Sequence, residues 1–188
     1  AVAVTMPPWS GPHEALLVDG AWPVPAEDRV VSAPTLRAGG PADADALTSL
    51  AFRSKAFWRY DNAFMEACRD ELCVAPALLR DGLVQLLELD GQIVGFAGIE
   101  PLADGVWDLS HLFVAPDRVG HGHGARLFQA VLLQLRANGA RRLAVQADPQ
   151  AGPFYARMGG RPTGTAPSRS IPGRQLPCYE FVVEGASA

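Results

Sequence analysis

A chain of 188 residues with 48% hydrophobic and 19% charged residues has enough apolar material for one domain with a real core, and not for two full domains. Its formal net charge of −4 brings no general attraction for nucleic acid, and its longest apolar stretches, such as residues 130–135, are far too short to cross a bilayer. Three scattered cysteines (Cys68, Cys73 and Cys178) without CxxC spacing argue against a disulfide framework or a zinc site and suit a reduced, cytoplasmic setting.

Residues 1–33 are rich in Pro, Gly and Ala and sustain neither a helical nor an alternating period, so an extension is expected there, with Trp9 and Trp22 available to pack on the body. The opening residues lack a basic start, a sustained apolar run and a cleavage pattern, so no signal peptide is expected. From residue 34 to 188 a single domain is expected. Residues 35–39 read as a short strand, and Pro41 with acids behind it opens a helix through about residue 54. A second helix is expected over 62–79, where Phe64, Met65, Cys68 and Leu72 recur at helical spacing. Strands over 83–90 and 93–101 are joined by Asp90-Gly91, a strong hairpin signal, and a third strand covers 105–116. Residues 122–137 form the clearest helix, with Leu127, Phe128, Val131, Leu132 and Leu135 on one face and Asn138-Gly139 as the stop. A buried strand over 141–148, a short helix over 152–158 ended by Gly159-Gly160, and a strand over 178–183 follow. The succession β-α-α-β-β-β-α-β-α-β predicts a mixed α/β layout.

Between the third strand and the long helix stand three alternate glycines, Gly120, Gly122 and Gly124. Glycine at such a place lets an anion approach backbone N–H groups, and the helix N-terminus behind it adds unsatisfied donors and partial positive charge. A dinucleotide fingerprint would need a further glycine where Ala125 stands, and a Walker loop needs Gly-Lys-Ser/Thr, which is absent. His121 and His123 alternate inside the loop, but no further ligands surround them in sequence, so no metal is expected, and hydrogen bonding to phosphate or covering the far end of a bound nucleotide is the better role. Basic residues gather late, at Arg136, Arg141, Arg142, Arg157, Arg161, Arg169 and Arg174, which leaves room for a local anionic partner. Phe57, Trp58 and Tyr60 lie between two helical stretches and could form an aromatic wall of a substrate site.

Over roughly residues 34–185 the sequence resembles the GNAT superfamily of acyl-CoA-dependent N-acyltransferases. The family's coenzyme motif, (Gln/Arg)-x-x-Gly-x-(Gly/Ala), falls on Val119-Gly120-His121-Gly122-His123-Gly124, and its later block falls on residues 148–159, matching at Ala151, Phe154, Tyr155 and Gly159. Two departures stand out: Val119 replaces the usual Gln or Arg, with Arg118 beside it, and Asp148 replaces the usual Asn. The resemblance implies a mixed, mostly antiparallel central sheet flanked by helices. It also implies acetyl-CoA as co-substrate and direct transfer to a primary amine of a small molecule, with no nucleic acid or membrane partner and a monomer or homodimer. Protein or peptide amines, or a non-catalytic acyl-CoA sensor, are the alternatives.

By the same resemblance the pantetheine arm pairs with the backbone of Leu112, Phe113 and Val114. The pyrophosphate sits on Val119 through Ala125, and Asp148 and Phe154 lie beside the coenzyme. Tyr155 serves the departing thiolate, and Asp108, six residues before Val114, accepts the ammonium proton through water. His111, Glu100 and water alone compete for that last role. Strand alternation puts Asp108, Ser110 and Leu112 on one face and His111 with Phe113 on the other, although a bulge near the strand end would change that parity.

Overall fold

Residues 33–183 are described by a computed structural model; the extension expected over residues 1–33 lies, save for its last residue, outside them. Strand β1 (Thr35–Ala38) leads through a 3-10 turn at Pro41–Asp43 into α1 (Ala44–Ala56). Arg37 fastens this entry, donating to both oxygens of Asp43 at 2.8 and 2.9 Å and to Glu88 at 2.9 Å. The helix expected over 62–79 is instead α2 (Asn62–Ala67), α3 (Arg69–Leu72) and a 3-10 turn at Pro76–Leu79. Two local facts break it. Pro76 forces Ala75 out of the helical region, to φ −67°, ψ 138°, and the Val74 N–H goes to Thr48 Oγ1 rather than to its own helix.

Strands β2 (Val84–Leu89) and β3 (Gln92–Pro101) form the expected hairpin, with positive φ at both Asp90 and Gly91, as a tight two-residue connection requires. Next come β4 (Val106–Val114), α4 (His123–Ala137), β5 (Arg142–Gln146), α5 (Gly152–Arg157), β6 (Arg161–Pro167) and β7 (Gln175–Val182). The seven strands form one sheet in the order β1-β2-β3-β4-β5-β7-β6, antiparallel throughout except for β4 and β5. The expected architecture is therefore the one observed. Strand β6 is an addition: with Pro162, Gly164 and Pro167 and no apolar alternation it carries little strand signal, and such a strand is tolerated at a sheet edge.

Each face of the sheet has its own core. On one face Leu87, Ala97, Ile99, Leu109, Leu143 and Val145 pack with Leu127, Phe128, Val131 and Leu135 of α4. On the other, Val84, Leu86 and Phe96 pack with Leu47, Leu50 and Ala51 of α1 and with Cys68 and Leu72. Each fully buried Leu, Val or Phe contributes roughly 1.5–3 kcal/mol relative to exposure, so the two layers hold the sheet rigid from both sides. Between them β4 and β5 pair only at Val106↔Arg142, Trp107↔Leu143 and Asp108↔Ala144; beyond that point each stays paired with its other neighbour but not with the other. The opening between the strands is where the site forms.

Candidate active site

Two cavities flank the opening. One, of about 560 Å³, is lined by Val114, Arg118, Val119, Gly120, Gly122, His123, Gly124, Ala125, Phe154 and Arg157, among others. The second, of about 620 Å³, lies under the β6–β7 connection and is lined by Lys55, Glu100, Asp108, His111, Phe113, Asp148, Arg169 and Arg174, among others. They share Ser54, Trp58, Leu112, Ala151 and Tyr155, so a molecule in one would meet a molecule in the other beside those residues.

The floor of the first cavity is built from backbone. Gly120 and Gly122 adopt φ of +87° and +81°, and a Cβ at either would meet no atom within 4 Å, so it is the left-handed backbone that selects glycine here, not lack of space. Gly122 caps α4, and the first helical bond runs from Arg126 N–H to the Gly122 carbonyl, leaving the N–H groups of His123, Gly124 and Ala125 at the open end of a fifteen-residue helix. With Arg118 and Arg157 on the rim, the arrangement suits a polyanion. Burial first, then the nearby His121, Arg118 and Arg126, pull His123 below its ordinary range, so it meets a ligand as a neutral ring. His121 does not line the cavity; its Nδ1 bonds to the Val119 carbonyl at 3.2 Å and its ring stacks 6.2 Å from that of His123.

The expected parity of β4 needs correcting. The register runs Gly98↔His111 and then Ile99↔Leu109, so Ser110 is an extra, bulged residue. The bulge returns Leu109 and Leu112 to the α4 side and brings Asp108, His111 and Phe113 onto the other face, opposite Glu100, Gly98 and Phe96 respectively. Gly98 faces the bulge because a Cβ there would press on Ser110 Oγ at 3.2 Å and His111 Nδ1 at 3.4 Å. Asp108 and His111 thus share a cavity wall. His111 is 8% exposed, with Nδ1 3.0 Å from Ser110 Oγ and Nε2 buried without a hydrogen-bond partner among the described residues. Burial holds its pKa below the ordinary histidine value, with Glu100 opposing. Burial and then the Glu100 charge push Asp108 up, with Arg169 opposing.

Tyr155, on α5, packs its buried ring against Phe128, Phe154 and Tyr179 and lines both cavities. Burial and then the Asp108 charge raise its hydroxyl well above the ordinary phenol value, so it stays protonated. Of the aromatic trio, Trp58 lines both cavities and Phe57 lines the first. Tyr60 lines neither: its ring stacks on Phe64 at 4.0 Å and its hydroxyl donates to Asp148 at 2.9 Å. Asp148 itself faces the second cavity, not the glycine loop. Sequence reasoning singled out neither Lys55 nor Glu71 on the second cavity. Arg157, Arg169 and Arg174 appeared only as part of a late basic cluster, of which Arg142 and Arg161 pair elsewhere, with Glu180. Among the described residues no cluster of His, Cys, Asp and Glu is placed to hold a metal ion, and no helix is long and apolar enough to cross a membrane.

Residues 64–169 match the acetyltransferase (GNAT) domain family. Among solved structures, a GCN5-related N-acetyltransferase from Rhodopseudomonas palustris is 28% identical, with a TM-score of 0.65, covering 81% of this chain and 98% of its own. A GNAT-family acetyltransferase from Desulfovibrio desulfuricans is 22% identical, with a TM-score of 0.64, over 81% of this chain and all of its own. The PaiA N-acetyltransferase of Thermoplasma acidophilum, in complex with coenzyme A, shares the fold at 16% identity, with a TM-score of 0.67, over 80% of this chain and 99% of its own. No curated protein matches the chain. The family match spans more than half of the sequence and includes the glycine loop and Tyr155, and the fold around them is that of the solved acetyltransferases. The chain belongs to the GNAT acetyltransferases and is an acyltransferase.

Proposed function

We propose that the protein transfers the acetyl group of acetyl-CoA directly to a primary amine of a small molecule. The coenzyme would lie over residues 119–125 and along Leu112–Val114, with the amine in the cavity under the β6–β7 connection. The observation that carries this reading is the meeting of the two cavities at Leu112 and Tyr155, where β4 and β5 part. A volume of about 620 Å³ suits a small-molecule acceptor.

In the transfer the neutral amine nitrogen bonds to the thioester carbonyl carbon, the carbon–sulfur bond breaks, and the thiolate leaves as the thiol by taking up the second proton that the nitrogen sheds. Positioning of the two reactants supplies much of the rate, since no covalent enzyme intermediate is needed. Tyr155, held protonated, donates a hydrogen bond that strengthens as charge develops on sulfur. The proton of the incoming ammonium is taken on the wall that Asp108 and His111 share, where burial keeps His111 neutral.

Calorimetry with acetyl-CoA, followed by free-thiol release across a panel of small amines and short peptides, tests the reading. Binding with turnover on small amines is expected, and Tyr155→Phe should lower turnover by roughly 10²-fold while sparing coenzyme affinity. Binding without turnover on any amine would overturn it, and turnover confined to peptides would reassign the acceptor.

A further inference from the structure

Three separate segments of the chain converge on one carboxylate of the second cavity's wall. Lys55, at the end of α1, donates to Asp148 Oδ2 at 2.7 Å. Tyr60, in the connection to α2, donates to Oδ1 at 2.9 Å. Arg174, just before β7, donates to Oδ2 at 3.2 Å and to the Tyr60 hydroxyl at 2.8 Å. Asp148 also accepts the Gln150 N–H at 3.0 Å, fixing the turn that follows β5. The side chains of Lys55, Asp148 and Arg174 are only 11%, 13% and 17% exposed, so these bonds are screened less than surface pairs. Both cations also lie over the stacked Tyr60 and Phe64 rings, Arg174 at 5.1 and 4.7 Å and Lys55 at 5.5 and 5.6 Å from their centroids. A second tie, from Ser170 Oγ to Glu71, fastens the same β6–β7 connection to α3.

Lys55, Asp148 and Arg174 line the acceptor-side cavity and do not line the one over the glycine loop. An asparagine in place of Asp148 could keep the turn and accept from Tyr60, but it could not carry the charge that two cations share here. We propose that Asp148 is a positioning residue of the acceptor cavity, a latch that holds α1, the α1–α2 connection and the β6–β7 connection in register so that acceptor capture, and not coenzyme capture, depends on it. The proposal rests on the acetyl-transfer reading for which cavity takes the amine. Trp58, which lies between Lys55 and Tyr60 in the chain and lines both cavities, is the group whose placement the latch controls most directly.

The experiment compares the wild type with Asp148→Asn, Asp148→Ala and Lys55→Met. Three quantities are read: the Kd of acetyl-CoA by calorimetry, the KM and kcat for tryptamine and spermidine at saturating acetyl-CoA, and the labelling of Cys68 by Ellman's reagent. Cys68 is a useful reporter because it is fully buried in the core cluster against which Phe64 packs, the ring both cations cover, while Cys73, already exposed on the cavity lining, and the half-buried Cys178 give the reference labelling. Expected are an amine KM raised about tenfold or more, acetyl-CoA affinity unchanged within about twofold, and Cys68 newly labelled at an unchanged Cys73 rate. The loss should be smaller in Asp148→Asn, which keeps the turn, than in Asp148→Ala, and Lys55→Met combined with Asp148→Asn should be less than additive. Coenzyme affinity falling in step with amine capture would place Asp148 on the coenzyme and overturn the proposal. So would an unchanged amine KM with Cys68 still protected. If the wild type acetylates neither probe, the acetyl-transfer reading fails for these amines, and Cys68 labelling at constant acetyl-CoA affinity still decides the latch.

Discussion

At His111 two influences act on one ring: burial lowers its pKa and the Glu100 carboxylate across the strand pair raises it, with burial the larger. At Asp108 burial and Glu100 both act upward and Arg169 acts downward. The titrations of the two candidates therefore move toward each other, His111 from 6.5 downward and Asp108 from 3.8 upward, and the position of an acidic limb alone does not assign it. Substitution does. If His111 takes the proton, the acidic limb of kcat/KM lies below 6.5 in the wild type, disappears in His111→Gln and survives in Asp108→Asn. The opposite pattern would give the role to Asp108. Glu100→Gln should move the limb to lower pH in either case, because that carboxylate raises both groups. None of this opposition was legible in the sequence, where Asp108 and His111 alternate onto different faces; the extra residue Ser110 in β4 puts them on one.

Among the elements, the glycine loop and α4 behave as a unit whose requirements separate cleanly. Gly122 caps the helix at φ +81°, and Gly139, just past its other end, has φ +67°; a Cβ at either position meets nothing within 4 Å. Valine at either place should cost about 1–2 kcal/mol of backbone strain and leave the fold intact. Only Gly122→Val puts a side chain in the approach to the N–H groups of residues 123–125. Acetyl-CoA binding, read by calorimetry, should be lost in Gly122→Val and kept in Gly139→Val. Equal affinities in the two variants would remove the loop from the coenzyme site. The element pattern was legible here because alternate glycines before a strongly amphipathic helix are a local signal. It was least legible over 62–79, where the helical spacing of Phe64, Met65, Cys68 and Leu72 was real but Pro76 and the Thr48–Val74 bond cut the helix short.

For the whole molecule, acid should act in two stages. His111 is buried with a lowered folded-state pKa, so its neutral form stabilises the fold above about 6.5, and that contribution is lost as pH falls through its folded value. The carboxylates follow. Hydrogen bonding from Arg37 leads in holding Asp43 at about 2, and although burial pushes Asp148 up, Lys55, the Gln150 N–H and Tyr60 more than offset it. Both have folded-state pKa values below the unfolded ones, so their contribution is present above 3.8 and is lost as pH falls through the folded values, about 2 for Asp43. Urea midpoints measured between pH 8 and 2 should decline first below 6.5 and again below 3.8, and Asp43→Asn should flatten the second decline. An unchanged second decline in that variant would show that the Arg37–Asp43 pair contributes little to acid stability.

What the sequence by itself determined is whatever repeats locally along the chain: the periodicity of α4, the Asp90-Gly91 hairpin, the glycine loop, the Phe154-Tyr155 block and hence the acetyltransferase family. Each needs only neighbours a few residues apart, whose spacing is set by helix and strand geometry. The tertiary structure alone decided the rest. Strand β6 draws its order from pairing with β7 rather than from its own Pro- and Gly-bearing sequence. Asp148 lines the second cavity and not the one over the glycine loop because Lys55 lies 93 positions before it and Arg174 26 after it, and only the folded sheet brings these two cations to one carboxylate. Tyr60 joined that carboxylate instead of an aromatic wall for the same reason. Contacts between distant positions carry no periodic trace in a single sequence, and a bulge that inserts one residue reverses the parity on which strand reasoning depends.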